Sequence, residues 1–464
     1  MSPLVPAGAP HETTPPDGVP IAAPQHLSFG ATQRNHPATQ HTHDPVLLTV
    51  ILALTGFGIV MVYSASAIYA AQKYGSPDYF LRRDLVWALM GLVAMTVAAR
   101  IDYGVWRRWT YPALGVTVAL LGSVLVVGSR INGARRWFHV GGLSFQPAEL
   151  AKLARILYLA YSLAKKAEKV KSFTVGFVPH MAVCGLMMLL LLKQPDLGTA
   201  CILGMATLLV LFVAGAKISY LFIAFLAAAP IVYQAIVGTP WRLRRMLAYI
   251  DPWQYRYDVG YQITESLISI GSGGKTGLGL GDGKQKLFFL PEAHTDYILA
   301  IVGEELGLVG LCCVAATFVI LIWRGVRASL RARDAFGAYL AFGITAVFGL
   351  QAMVNLGVVL GALPTKGLPL PFVSFGGSTL VVDLFAAGLL LNVSRGAPEP
   401  GPRLRASWLA RLAAATRGNR RLPGGGRRVV VESADGDRTE KTAVPEIVND
   451  PDTAPSAPPA MGDD

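Results

Sequence analysis

The chain has 464 residues, of which 53% are hydrophobic and only 15% charged, against about 25% charged in ordinary soluble domains. With a mean hydropathy of +0.45, this composition excludes a soluble globular protein and predicts an all-α, polytopic integral membrane protein. The formal net charge of +12 would suggest nucleic acid in a soluble chain. Here the cations must first be sorted by membrane side, so no nucleic-acid partner is inferred.

Residues 1–44 lack the cationic start and apolar run of a cleavable signal peptide. They are rich in Pro, Ala, Thr and His and read as a disordered cytoplasmic tail; His36, His41 and His43 read as solvated, not as metal ligands. Ten apolar stretches follow, at roughly 46–70, 83–99, 111–129, 147–164, 174–192, 197–214, 217–237, 296–323, 335–361 and 372–394. About 17–25 such residues are enough to cross a hydrocarbon core of about 30 Å. In "KQPDLGT" (193–199), Pro195 stops the fifth span and Asp196 can cap the sixth. Cys184, Cys201, Cys312 and Cys313 lie in apolar runs without CxxC spacing and read as packing residues, neither disulfide nor metal ligands.

An even number of spans puts both ends of the 45–395 membrane domain on one side. Placing them in the cytoplasm makes the inner loops those with Arg100, Arg107 and Arg108, with Lys165, Lys166, Lys169 and Lys171, and with Arg324, Arg327, Arg331 and Arg333. This is the cation bias expected of inner loops. The outer segments are then 130–146, a long extracytoplasmic loop at 238–295, and 362–371. The C-terminal tail, 396–464, is basic and then acidic, mostly disordered, with Leu404, Trp408 and Leu412 spaced for a short amphipathic helix on the inner leaflet.

Polar residues inside or against such spans are the functional candidates. "LPEAHTDYILAIVGEELG" (290–307) runs into the eighth span with Pro291 and Thr295 suited to a helix start. That places Asp296 in the first helical turn at the outer interface, while Glu304 and Glu305 point different ways and read as structural. Glu149 and Lys152 are three residues apart in the fourth span, on one face and within ion-pairing reach. The short loop holding Arg135 and Arg136 carries cations on the outer side, which an anionic ligand would explain; Arg242, Arg244 and Arg245 in the long loop read equally well as a solvated or headgroup-facing set. "GSGGKTGLGLGDG" (271–283) is not a Walker loop, because that pattern needs Gly where Ser269 stands. "LPTKGLPLPFVSFGGST" (363–379) is an irregular outer loop whose polar members are Lys366 and Ser374.

The blocks "MVYSAS" (61–66), "NGARRW" (132–137), "QPAELAK" (146–152), "KQPDLGTA" (193–200), "KLFFLPEAHTDYILAIVGEELG" (286–307) and "PTKGLPLPFVSFGGS" (364–378) resemble those of the SEDS (shape, elongation, division, sporulation) family. They occur in the family's order over nearly all of 46–394, and look more like its FtsW-type division branch than its elongation branch. Tyr297 and Phe375 are minor departures, and neither tail is covered. The resemblance implies a ten-helix peptidoglycan glycosyltransferase that polymerises lipid II, an undecaprenyl-pyrophosphate-linked disaccharide peptide. It implies work at the outer face of the cytoplasmic membrane, at the division septum, beside a class B penicillin-binding protein transpeptidase and other divisome membrane proteins. The family's essential aspartate maps onto Asp296, and its paired charges map onto Glu149 and Lys152.

On that reading Asp296 is the general base of an inverting transfer. Arg135, Arg136 or Lys366 would stabilise the departing pyrophosphate, with Ser374 a further substrate-binding candidate. No cofactor is certain; a divalent cation could share the charge, but no ligand cluster in the sequence marks one. Two alternatives stand beside it: a lipid II flippase or transporter, for which intramembrane carboxylates and an ion pair would serve equally, and a non-catalytic division scaffold.

Overall fold

The computed structural model describes residues 43–131, 133–140 and 143–396; the rest of the two expected tails, including the amphipathic segment at 404–412, lies outside the described residues. Helices occupy the place of every expected span: α1 (Pro45–Tyr74), α2 (Tyr79–Arg100), α3 (Trp106–Val127), α4 (Pro147–Lys165), α5 (Val178–Lys193), α6 (Leu197–Ala214), α7 (Ile218–Val237), α10 (Ile298–Leu330), α11 (Ala335–Val359) and α12 (Ser378–Ser394). Seven of these, α5 taken together with the helical turn Phe173–Phe177 before it, are long and apolar enough to cross a membrane. Of the other three, α2 and α4 carry more charge, and α12 is apolar but only 17 residues long.

The local signals act as the sequence requires. Asp44 caps α1 by accepting from the Leu47 amide at 3.1 Å, followed by Pro45 in the first turn, a position where a missing N–H costs nothing. Asp196 caps α6 through the Thr199 amide and hydroxyl. The polypeptide's two described ends meet: the Asp44 amide donates to Ser394 Oγ, and Arg395 reaches the His43 ring. On that same face Arg324 pairs with Asp44 and Arg107 with Asp334. Helix α7 buries no residue, so its apolar surface is available to lipid.

Three features depart from the sequence reading. First, the loop after α3 is a small antiparallel sheet of β1 (Ser129–Ile131), β2 (Ala134–Val140) and β3 (Leu143–Phe145), in the order β1-β2-β3. Second, the long loop contains two helices, α8 (Pro240–Ile250) and α9 (Tyr261–Gly273). Third, α10 is broken at Gly307 (φ 67°, ψ −164°), a conformation that favours glycine.

The break explains the Gly-rich run. Leu278 and Gly279 amides donate to the carbonyls of Glu304 and Glu305, each at 3.0 Å, while Leu308 and Val309 amides donate to Gly274 and Lys275 carbonyls. Backbone groups freed inside a membrane helix must find such partners. The approach is close: a Cβ on Gly277 would lie 2.1 Å from the Glu305 carbonyl oxygen, so the loop can seat only with glycine there.

Candidate active site

Asp296 does not sit in the first turn of α10, as its sequence context suggested, but two residues before the helix. The chain turns at Glu292 (φ 56°), whose carbonyl accepts from the amides of Thr295, Asp296 and Tyr297. This tight turn consumes residues that would otherwise have begun the helix. Asn355 of α11 then fixes its place, donating to the Asp296 carbonyl at 2.9 Å and to the Leu368 carbonyl at 2.8 Å. One amide group therefore clamps the Asp296 turn to the 361–377 loop. The carboxylate lies against Gly367, where an added Cβ would come within 2.9 Å of Asp296 Oδ2.

The carboxylate itself holds no hydrogen bond or ion pair among the described residues. It is half-buried, and burial pushes its pKa up to about 7, with the Glu292 charge adding to the push and Arg245 and Arg136 opposing it. Desolvation penalises the charged form, and nearby cations restore it. A carboxyl poised near neutrality without a fixed partner suits proton abstraction. Lys366, one residue from Gly367, is also half-buried; burial pushes its ammonium down, Cys201 opposes that, and Arg242 and Arg245 add to it.

The two acids deeper in α10 are treated differently. Glu304 accepts from the backbone amides of Lys284 (2.7 Å) and Gln285 (3.2 Å). Glu305 pairs with Lys286 at 2.7 Å and accepts from Ser64 Oγ. Both side chains are buried, and both fasten the long loop to the helix. Glu149 and Lys152 form the expected buried ion pair, at 2.6 Å, in a small cavity shared with Asp383 of α12. An apolar groove of about 500 Å³ lies elsewhere, between α1 and α10, with no titratable group among its lining residues except Cys313.

Residues 45–398 match the FtsW/RodA/SpoVE cell cycle protein family. The chain belongs to that family. It is 49% identical to the probable peptidoglycan glycosyltransferase FtsW of Geobacter sulfurreducens over 361 residues, 77% of this chain and 97% of that one. It is 41% identical to the stage V sporulation protein E of Bacillus subtilis, over 77% of this chain and 98% of that one. Among solved structures, a chain from work on the structural coordination of polymerization and crosslinking by a peptidoglycan synthase complex is 31% identical, with a TM-score of 0.65 over 76% of this chain and 98% of that one. The rod shape determining protein RodA of Thermus thermophilus is 30% identical, with a TM-score of 0.54 over 76% and 97%.

Within this FtsW/RodA/SpoVE chain the expected site residues divide. Asp296 lies against Gly367, the neighbour of Lys366, and the Arg136 charge reaches Asp296. Arg136 is largely committed, its Nε and Nη2 donating to the carbonyls of Gln194 and Pro195 at 2.8 Å. Arg135 donates to Leu125 and Val126 carbonyls and so caps α3. Ser374 is buried and its hydroxyl accepts from the Leu370 amide at 2.9 Å, so it shapes its loop from within. The Glu149–Lys152 pair is a separate, interior cluster. Sequence reasoning missed Asn355, an unremarkable polar residue in an apolar helix, and Gly367, hidden among prolines. The i, i+3 spacing of Arg242 and Arg245 was a readable signal, but a solvated face explained it equally well.

Proposed function

We propose that the protein is a peptidoglycan glycosyltransferase that polymerises lipid II on the outer face of the cytoplasmic membrane during septal wall synthesis. The observation that carries this reading is the unpartnered Asp296 carboxylate, held by Asn355 and Gly367 in a corner where cations converge. The family membership and the names of its relatives support the same class of reaction.

Asp296 takes the proton of the acceptor's GlcNAc 4-hydroxyl. That oxygen attacks the anomeric carbon of the donor's MurNAc as the bond to the pyrophosphate oxygen breaks. The electron pair leaves with the lipid pyrophosphate, and one displacement converts an α linkage into a β-1,4 linkage. A single base suffices, unlike glycoside hydrolysis with its two carboxylates. Cations fixed beside the departing diphosphate stabilise the charge as it develops. Among the described residues no group of three or more His, Cys, Asp or Glu is placed to hold a metal ion.

The charge pattern supports cytoplasmic termini, and a class B penicillin-binding protein is the partner that would cross-link the product. The transporter reading has one observation in its favour, the buried Glu149–Lys152 pair beside Asp383. The deciding experiment is polymerisation of labelled lipid II by purified protein in detergent, with and without the transpeptidase. An enzyme makes polymer there, whereas a transporter or scaffold makes none.

A further inference from the structure

The arginines of the outer segments, of which Arg136 and Arg245 act on the Asp296 charge, differ in how many of their donors are already used. Arg136 commits Nε and Nη2 to main-chain carbonyls, while Arg135 turns its Nη1 onto the α3 carbonyls and leaves its buried Nε without a hydrogen-bond partner. Arg242 donates to the Ala235 carbonyl, and Arg244 faces Asp258 at 3.8 Å. Arg245 is half-buried and its guanidinium lies over the Trp241 ring, 5.0 Å from its carbon to the ring centroid. None of its five N–H donors has a hydrogen-bond partner among the described residues. The Lys366 ammonium has none either.

The fold brings these two together. Arg242, Arg245 and Tyr249 fall at i, i+3 and i+7 of α8 and so share a face. The Tyr249 hydroxyl donates to the Ala362 carbonyl at 3.0 Å, which seats that face on the loop holding Lys366 and Gly367. Gly367, next to Lys366 on this loop, lies against the Asp296 carboxylate. A planar guanidinium with all donors open, beside a point-charge ammonium, is the arrangement that takes a diphosphate.

We propose that Arg245 and Lys366 form a diphosphate-binding pair facing Asp296, and that this pair, not Arg135 or Arg136, holds the donor's departing pyrophosphate. The inference rests on the glycosyltransferase reading for its role in turnover, but the binding site stands on its own. Arg135 and Arg136 are then positioning residues that cap α3 and the 193–196 turn.

The test uses full-length protein carrying Asp296→Asn, so that nothing turns over, with farnesyl diphosphate as probe and farnesol as control. Arg245→Gln and Lys366→Gln should each weaken farnesyl diphosphate binding about 10- to 100-fold, leaving farnesol binding unchanged. Arg245→Lys should recover part of the loss, and it remains the readout if the Gln variant does not fold. Arg244→Gln is the control for general surface charge and should bind as the parent does. Unchanged binding in both Gln variants overturns the proposal, as does an equal loss in Arg244→Gln or a larger one in Arg136→Gln. Lipid II polymerisation by the otherwise unaltered protein separates the two claims. Polymer with diphosphate binding intact in both variants removes the pair and keeps the polymerase. Diphosphate binding that needs the pair, without polymer from any preparation, keeps the pair and removes the polymerase.

Discussion

Asp296 and Glu305 lie nine residues apart along one segment, and the structure treats them in opposite ways. Glu305 is buried, paired with Lys286 and hydrogen-bonded by Ser64; Glu304 beside it accepts two backbone amides. Asp296 is half-buried and has no side-chain partner among the described residues, while its main chain is held on both sides by Asn355 and Glu292. A carboxylate that is fully satisfied is fastening something. One whose backbone is fixed and whose oxygens are left open is available to a ligand. The contrast teaches that nearness along one segment does not by itself assign these acids a common role; the state of their hydrogen bonds sets Asp296 apart as the proposed base.

The sharpest way to break this comparison is to neutralise each acid in turn. Asp296→Asn should lower lipid II polymerisation by about 10²–10⁴-fold, the usual contribution of a general base, with thermal unfolding showing a folded protein. Polymerisation at the parental rate would make Asp296 a mere loop residue. Glu305→Gln should do the reverse, destabilising the fold by about 3–5 kcal/mol because it strands the buried Lys286. A Glu305→Gln protein that melts like the parent but cannot polymerise would move Glu305 to the chemical side.

Gly367→Ala sharpens the comparison without touching a charge. The new methyl group would crowd Asp296 Oδ2 and displace the base, and a misplacement of about 1 Å costs roughly 10²-fold. Melting temperature should stay near the parent's, measured beside the rate. A smaller effect is expected from pH. With the Asp296 carboxyl near 7, the rate should rise through pH 6–8 as the base ionises and then level; a profile flat down to pH 5 would show that its ionisation does not govern the rate. Stability runs the other way. A carboxyl raised above its unfolded value of 3.8 favours the folded state at low pH, and that contribution is lost as pH rises through 7. Asp296→Asn should therefore melt higher than the parent at pH 8, with the gap closing toward pH 4.

Much of the scaffold was legible because a membrane span is a long-range compositional signal. Helices stand at all ten expected places, Asp196 caps where "PDLGT" suggested, and the Glu149–Lys152 pair follows from spacing alone. The site was less legible because its parts come from distant segments. Asn355 and Gly367 carry no chemistry that a sequence pattern flags; their importance lies in a shared contact with Asp296. Ser374 looks exposed from its place in an outer loop, whereas it is buried and its hydroxyl satisfies an inward amide. The start of α10 was misplaced since Pro291 and Thr295 are good helix openers, and only the left-handed Glu292 reveals the tight turn that pre-empts them.

The stitching of residues 274–279 to the break at Gly307 also decides where foreign sequence can be placed in this chain. Lengthening the loop there would pull amides 278 and 279 off the carbonyls of residues 304 and 305 and leave main-chain groups of a membrane helix bare. The 251–259 segment between α8 and α9 has exposed positions, with Tyr257 94% accessible. An epitope tag should thus be accepted between α8 and α9 and rejected six residues beyond the end of α9, though both sites belong to the same loop in the sequence.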